Sequence, residues 1–188
     1  MQDDTPERAM LPVHVRLRDG RTVLLREIRP QDEDELRDAF HRLSADSRYA
    51  RFMIPLREPP PAMLAAATRP DPEHDLALIA VSGEGGADQD IVAGARYVGA
   101  SGSDTCEFAV TVVDDWQGLG LARRLMEVLI AHAAARGLRC MEGYVLAANA
   151  PMRRLAGQLG FVDRRCEDDA TLRVVSLDLS RHLGHHAA

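Results

Sequence analysis

Residues 105–122 read Thr-Cys-Glu-Phe-Ala-Val-Thr-Val-Val-Asp-Asp-Trp-Gln-Gly-Leu-Gly-Leu-Ala. The run from Cys106 to Val113 is rich in β-branched and aromatic residues and predicts a strand. Asp114-Asp115-Trp116 turns the chain towards two closely spaced glycines, Gly118 and Gly120. From Gly120 to Arg136, Leu121, Leu125, Val128, Leu129 and Ala133 form one helical stripe, with Gly137 placed as the C-cap. A strand that enters a helix through glycines leaves backbone N–H groups unshielded by Cβ at the positive end of the helix dipole. The junction therefore predicts an anion site, and a pyrophosphate is the expected ligand.

Other readings of the glycines compete with this one. The chain contains no lysine, which excludes a nucleotide-binding loop that relies on that residue to reach the phosphates. A dinucleotide fingerprint matches at Gly118 and Gly120, and Glu142 lies about 20 residues on. Against it, Arg123 stands at the third glycine position and four residues separate the strand from the first glycine. A plain helix-start turn without a ligand also fits the local pattern.

Working outward, Met141–Leu146 predicts a strand, Pro151–Leu159 a helix ended by Gly160, and Phe161–Arg165 and Leu172–Leu179 two closing strands. Upstream, Leu76–Val81 and Ile91–Val98 join the Cys106 run through short polar loops, which predicts an antiparallel meander. Val13–Leu17 and Thr22–Arg26 flank Asp19-Gly20, a strong hairpin signal. Between hairpin and meander, Leu36, Ala39, Phe40 and Leu43 recur at helical spacing behind the acidic turn Asp32–Glu35. A second short helix is expected from Ser44 or Asp46, and a third over Ala62–Thr68 before Pro70 and Pro72. The order predicts an α+β fold with one buried sheet spanning 13–179, between a flexible lead (1–12) and a flexible tail (180–188).

With 188 residues, 46% hydrophobic and 28% charged, the chain has material for one packed domain. A formal net charge of −6 argues against a protein whose affinity comes from neutralising nucleic-acid phosphates. No apolar run approaches the roughly 18 to 20 residues of a membrane span, and residues 1–10 are acidic and polar where a signal peptide would be basic, then apolar. Cys106, Cys140 and Cys166 are scattered, without the spacing of a zinc site, and fit a reducing, cytoplasmic setting. No metal site is expected, because Asp114 and Asp115 lack further ligands and His182, His185 and His186 have no carboxylate or thiol nearby. All 23 cationic side chains are arginine, so the terminal α-amino group is the sole primary amine.

Gln117-x-x-Gly120-x-Ala122, followed by Asn149, Met152 and Leu159-Gly160-Phe161, resembles the acetyl-CoA-binding core of the GNAT superfamily of N-acyltransferases. The resemblance extends over Val13–Leu179 through Ile28-Arg29-Pro30-x-Asp32, Leu43-Ser44-x-x-Ser47-Arg48-Tyr49-x-Arg51-Phe52 and Glu107-Phe108-Ala109-Val110. That fuller set is similar to the acetyltransferase domain of bacterial Pat-type protein lysine acetyltransferases. It implies a splayed mixed β-sheet flanked by helices, with acyl-CoA in the notch between the Thr105 and Met141 strands. The pantetheine is then expected along Val110–Val112, and the pyrophosphate on N–H groups of Gly118, Leu119, Gly120, Leu121, Ala122 and Arg123. Gln117 and Asn149 complete the implied cofactor set.

The implied reaction moves an acetyl group from acetyl-CoA to the amine of a lysine on another protein, by direct attack in a ternary complex. A small-molecule amine acetyltransferase, which calls for an enclosed acidic pocket, and an acyl-CoA-sensing module without turnover are the alternatives. A lysine amine with a pKa of about 10.4 needs a proton acceptor at neutral pH. Glu107, in an otherwise apolar run, is the expected base through one water, with partial burial raising its pKa. Strand alternation could instead carry it to a solvated face. The tyrosine with which many GNAT enzymes protonate the departing thiolate is replaced by Ala156 in an alignment on Leu159-Gly160-Phe161. Asn149 suits equally a helix N-cap and a contact to a CoA amide. Arg48 and Arg51 are expected to face substrate as i,i+3 neighbours, with Tyr49 and Phe52 packing on the sheet. Trp116 suits either the core or the cofactor's edge.

Overall fold

Asp19-Gly20 does what its dipeptide predicts: strands β1 (Val13–Arg16) and β2 (Thr22–Glu27) pair antiparallel across it, and Gly20 adopts φ +90°. A computed structural model describes residues 11–83 and 89–182, so positions 1–10 of the expected lead, and His185 and His186 of the tail, lie outside the described residues. After β2, Arg26 grips the buried Asp32 carboxylate through two contacts of 2.7 Å, and the Arg29 N–H donates to it as well. Burial alone would raise the Asp32 carboxyl, but these donors hold it below the usual carboxylate range. The clamp fixes the entry into helix α1 (Glu33–His41), which is followed by α2 (Ala45–Phe52) and α3 (Pro61–Thr68).

Strands β3 (Asp75–Ser82), β4 (Asp90–Gly99) and β5 (Thr105–Val112) form the expected antiparallel meander. Helix α4 (Leu121–Ala135), strand β6 (Cys140–Leu146), helix α5 (Ala150–Gln158) and strands β7 (Val162–Arg165) and β8 (Leu172–Asp178) complete the chain. The eight strands form one mixed sheet in the order β1-β2-β3-β4-β5-β6-β8-β7. Its one parallel junction, between β5 and β6, pairs over Thr105–Cys140, Cys106–Met141 and Glu107–Glu142 alone. Beyond those three pairs both strands continue without bonding to each other, and the sheet splays.

Helix α4 covers one face. Leu121, Leu125, Met126 and Leu129 are buried, and the Tyr97 hydroxyl meets His132 Nδ1 at 2.8 Å. Helices α1, α2 and α3 lie towards the opposite face, over β3–β5. The β6-β8-β7 part of that face stays open, with Tyr144 44% and Val162 53% exposed. The sheet is therefore not buried throughout, as the element order suggested. Composition cannot show where the helices run out.

Candidate active site

The site grows from the point where β5 and β6 part. Val113 N–H donates to Val92 C=O, so in the antiparallel β4–β5 ladder the odd residues of β5 turn their backbone groups to β4. The even residues Val110 and Val112 present theirs to the other edge, where β6 has moved away. An unpaired strand edge of this kind is a template for an extended amide-bearing ligand. Phe108 marks the parting. Its ring packs across Gly143 of β6 and meets Phe161 with centroids 5.2 Å apart.

Past β5 the chain makes a short 3-10 turn, Asp114–Trp116, and reaches Gly118 and Gly120 at φ +75° and +92°. Gly120 is the N-cap of α4, and its carbonyl accepts the first helical bond, from Arg124 N–H. The backbone N–H groups from Gly118 to Arg123 have no partner among the described residues. They converge on the positive end of α4, the donor arrangement that binds phosphate. Leu121 itself is core, 1% exposed, and the Arg123 guanidinium is bound to Gln158 Oε1 at 2.7 Å.

Gln117 is placed differently from expectation. Its N–H is used by Asp114 C=O, and its Nε2 donates to Val112 C=O (3.1 Å) and Ser47 Oγ (3.3 Å). It locks the glycine loop to β5 and α2, and leaves no donor of its own for a ligand beyond that. Asn149 resolves towards the cap: Oδ1 accepts from Met152 N–H at 3.1 Å, leaving the amide NH2 for any other partner. Trp116 resolves towards the core at 8% exposed, with the Arg21 guanidinium 3.9 Å above its ring. Asp114 accepts from Ser44 N–H and Asp115 pairs with Arg42, so both acids fasten α1 and α2 to this loop.

The hairpin supplies a neighbour that the sequence did not announce. Arg18 N–H donates to Leu119 C=O, and Arg18 Nε lies 3.6 Å from where a Cβ on Gly120 would stand. Asp19-Gly20 placed Arg18 and Arg21 at a hairpin tip, but nothing local revealed that the tip meets the glycine loop 100 residues later.

Glu107 faces away from α4, and its side chain is exposed, so the expected partial burial does not hold. Register pairs Glu142 with Glu107 across the β5–β6 junction, so both acidic side chains leave the same face of the sheet at the base of the notch. In the sequence Glu142 stands out only as the acid of a dinucleotide fingerprint, because the strand pairing that sets it beside Glu107 leaves no local signal. Of the two expected substrate-facing arginines, Arg51 lies close enough to Glu107 to feel its charge. Arg48 is used internally, donating to the His41 and Arg57 carbonyls with its guanidinium 4.8 Å over the Phe40 ring. Tyr49 is 46% exposed and does not pack on the sheet, whereas Phe52 meets Phe40 at 5.7 Å. Cys106, adjacent to Glu107, is buried, which pushes its thiol up to about 12 and disqualifies it as a thiolate nucleophile. Ala156, at the expected tyrosine position, is 1% exposed within α5. Among the described residues no group of three or more His, Cys, Asp or Glu could hold a metal ion, and no helix is long and apolar enough to cross a membrane.

A sheet splayed beside a bare strand edge, a glycine-rich helix start and a carboxylate pair defines an acyl-CoA-dependent transferase fold. The model of the acetyltransferase (GNAT) family matches residues 30–161, and the chain belongs to that family, whose cosubstrate is acetyl-CoA. It is 40% identical over 155 residues to an acetyltransferase of Pseudomonas aeruginosa, covering 82% of this chain and 83% of that one. It is 31% identical over 152 residues to the acetyltransferase Pat of Mycolicibacterium smegmatis, covering 80% of this chain and 44% of Pat. The crystal structure of the GNAT domain of S. lividans PAT superposes with a TM-score of 0.78 at 29% identity, covering 88% of this chain and 96% of that one.

Proposed function

We propose that this acetyltransferase acts on the ε-amine of a lysine carried by another protein, by direct attack within a ternary complex. The observation that carries the reading is the Glu107–Glu142 pair, side by side at the base of the notch, beside a sheet face that no helix covers. An ammonium on a protein surface can approach carboxylates placed there, and their charge favours its arrival. The Pat-type resemblance, supported by the similarity to Pat and to the S. lividans PAT domain, points the same way.

Each residue then has a defined task. The N–H groups of Gly118–Arg123 hold the pyrophosphate, and the Val110 backbone and the Val112 N–H pair with the pantetheine amides, the Val112 carbonyl being taken by Gln117. Asn149 can add its NH2. Glu107, through one water, accepts the proton that the acceptor ammonium must lose before its nitrogen attacks the thioester carbonyl. The leaving thiolate needs little help, since a thiol with a pKa of about 8.5 is already a good leaving group. That accords with Ala156 in place of a tyrosine. A small free amine would call for an enclosed acidic pocket. The cavity that lies beside this site is apolar and carries arginines instead.

Labelled acetyl-CoA supplied to the protein, with a lysate in one tube and a panel of free amines in another, tests the assignment. Label on lysines of lysate proteins is the expected result. Label confined to free amines would overturn it.

A further inference from the structure

Between helices α1–α3 and the face of β3–β5 lies a cavity of about 250 Å3. Its walls are apolar, with Leu36, Phe40, Met63 and Ile79 among them, and its floor is kept low by Ala77, Gly94 and Ala109. Three polar side chains break the pattern: Arg51, Arg96 and Thr111. Register sets Arg96 opposite Ala109 and Gly94 opposite Thr111, which makes Arg96 and Thr111 close neighbours on the floor.

These groups are under-satisfied. Arg96 has one carboxylate partner, Asp75 at 3.5 Å, while its Nε is buried without a hydrogen bond, and so is the Thr111 hydroxyl. Arg51 makes no ion pair among the described residues; burial and the Arg96 charge lower its pKa to about 10 against the opposing pull of Glu107, the nearest acid to act on it. Two guanidiniums within electrostatic reach of each other and two orphaned buried polar groups are an unusual lining for an otherwise apolar space, because buried polar atoms are nearly always paired. A bound anion would satisfy both the charge and the donors.

We propose that this cavity is a second binding site, for a small amphipathic carboxylate. Its carboxylate lies between Arg51 and Arg96 and accepts from Thr111, and its alkyl or aryl chain fills the space among the α1 and α3 side chains. An apolar cavity of about 150 Å3 accepts benzene, so this one accommodates a chain or ring of roughly six to eight carbons beside the carboxylate. The cavity lies over the same face of β5 as Glu107 and adjoins the notch, and the proposal does not depend on the acceptor being a lysine.

Calorimetric titration of the full chain with hexanoate and octanoate tests it, with hexanol and hexylamine as length-matched controls. Saturable binding of the carboxylates is expected, at least about 10-fold tighter than of the controls, since a charge-assisted pair is lost in each control. Arg96→Met should weaken hexanoate about 10-fold or more, and the near-isosteric Thr111→Val severalfold. Ala67→Leu, which narrows the cavity without touching a charge, should exclude octanoate while the variant keeps its acetyl-CoA thermal response. Equal binding of hexanoate and hexanol, unchanged affinity in both Arg96→Met and Thr111→Val, or no saturation of the wild-type protein would each overturn the site. Acetyl-CoA binding measured in parallel separates that failure from a failure of the acyl-transfer reading.

Discussion

Gly143→Ala is the sharpest test of how the sheet is prised open. A Cβ at Gly143 would stand 2.6, 2.9 and 3.0 Å from three atoms of the Phe108 ring, well inside contact distance. The ring cannot simply swing clear, because Phe108 is 5% exposed and is held by Phe161 at 5.2 Å. Overpacking a filled core costs about 1–3 kcal/mol. Removing a glycine from a strand returns about 0.5–1 kcal/mol through the unfolded chain. Three contacts at or below 3.0 Å put the cost at about 2–3 kcal/mol, so the net loss is about 1–2.5 kcal/mol, a fall in Tm of about 2–10 °C for a chain of this size. Thermal and urea unfolding followed by circular dichroism read it directly, and m should not change. The acetyl-CoA-induced rise in Tm should also shrink, since Phe108 is the first side chain past the last bonded β5–β6 pair. In a Phe108→Leu background the cost of Gly143→Ala should vanish, because the ring that the methyl strikes is gone. An alanine variant within 1 °C of wild type, or an equal cost in both backgrounds, would refute the reasoning.

The other expectations are briefer. Acetyl-CoA should raise the Tm by mass action, and Gly120→Asp should abolish the rise, since φ +92° strains any side chain and a negative charge then meets phosphate. Glu107→Gln should bind acetyl-CoA near wild type but turn over about 100-fold or more slowly at pH 7, with the deficit shrinking as rising pH deprotonates the acceptor amine; wild-type turnover at pH 7 would return Glu107 to a structural role. Burial, then Arg136, lowers the His132 pKa, so the unfolded state binds the extra proton first and stability should fall as pH drops below about 6.5. Comparing Tm between pH 7.5 and 5.5, His132→Gln should show a flatter decline than wild type. Incubated with acetyl-CoA, the lysine-free chain should gain no stable acetyl group on an internal side-chain nitrogen by intact-mass analysis, because a guanidinium is not a competent nucleophile.

Where local chemistry dictates structure, the chain could be read closely. The hairpin, the meander, the Ala62–Thr68 helix and the glycine-started α4 lie within one or two residues of their expected bounds, and the two helices before them start where expected. Periodicity, caps and turn dipeptides are local signals, and Ser44, expected at the start of the second helix, caps it by accepting from Ser47 N–H. The site was less legible because its parts meet only through pairing. Glu142 beside Glu107 follows from a parallel register of three residue pairs, and Arg18 beside Gly120 from a hairpin docking across the fold. The Arg48–Arg51 pair shows the same limit. Helical spacing placed both on one surface, but only the surroundings show that backbone carbonyls of His41 and Arg57 occupy Arg48.

One strand, β5, ties these features together. Its odd positions, Glu107, Ala109 and Thr111, look towards α2 and the cavity, while Cys106 and Phe108 are buried on the α4 side. Its even backbone groups at Val110 and Val112 serve the notch. A slip of one residue would turn Glu107 into the packing under α4 and expose Phe108, and the cost of burying a carboxylate among Tyr97, Met141 and Phe161 forbids it. The pairing of β5 with β4, continuous from Gly99–Cys106 to Ala93–Val112, therefore fixes at once which carboxylate faces away from α4 and which backbone amides line the parted edge, the groups proposed to meet acceptor and cosubstrate. The placement of Glu107, the proposed base, is enforced by the hydrophobic core rather than by contacts around its own side chain. This is how Glu107 can stand exposed, with no side-chain hydrogen bond among the described residues, and still occupy a defined position at the base of the notch.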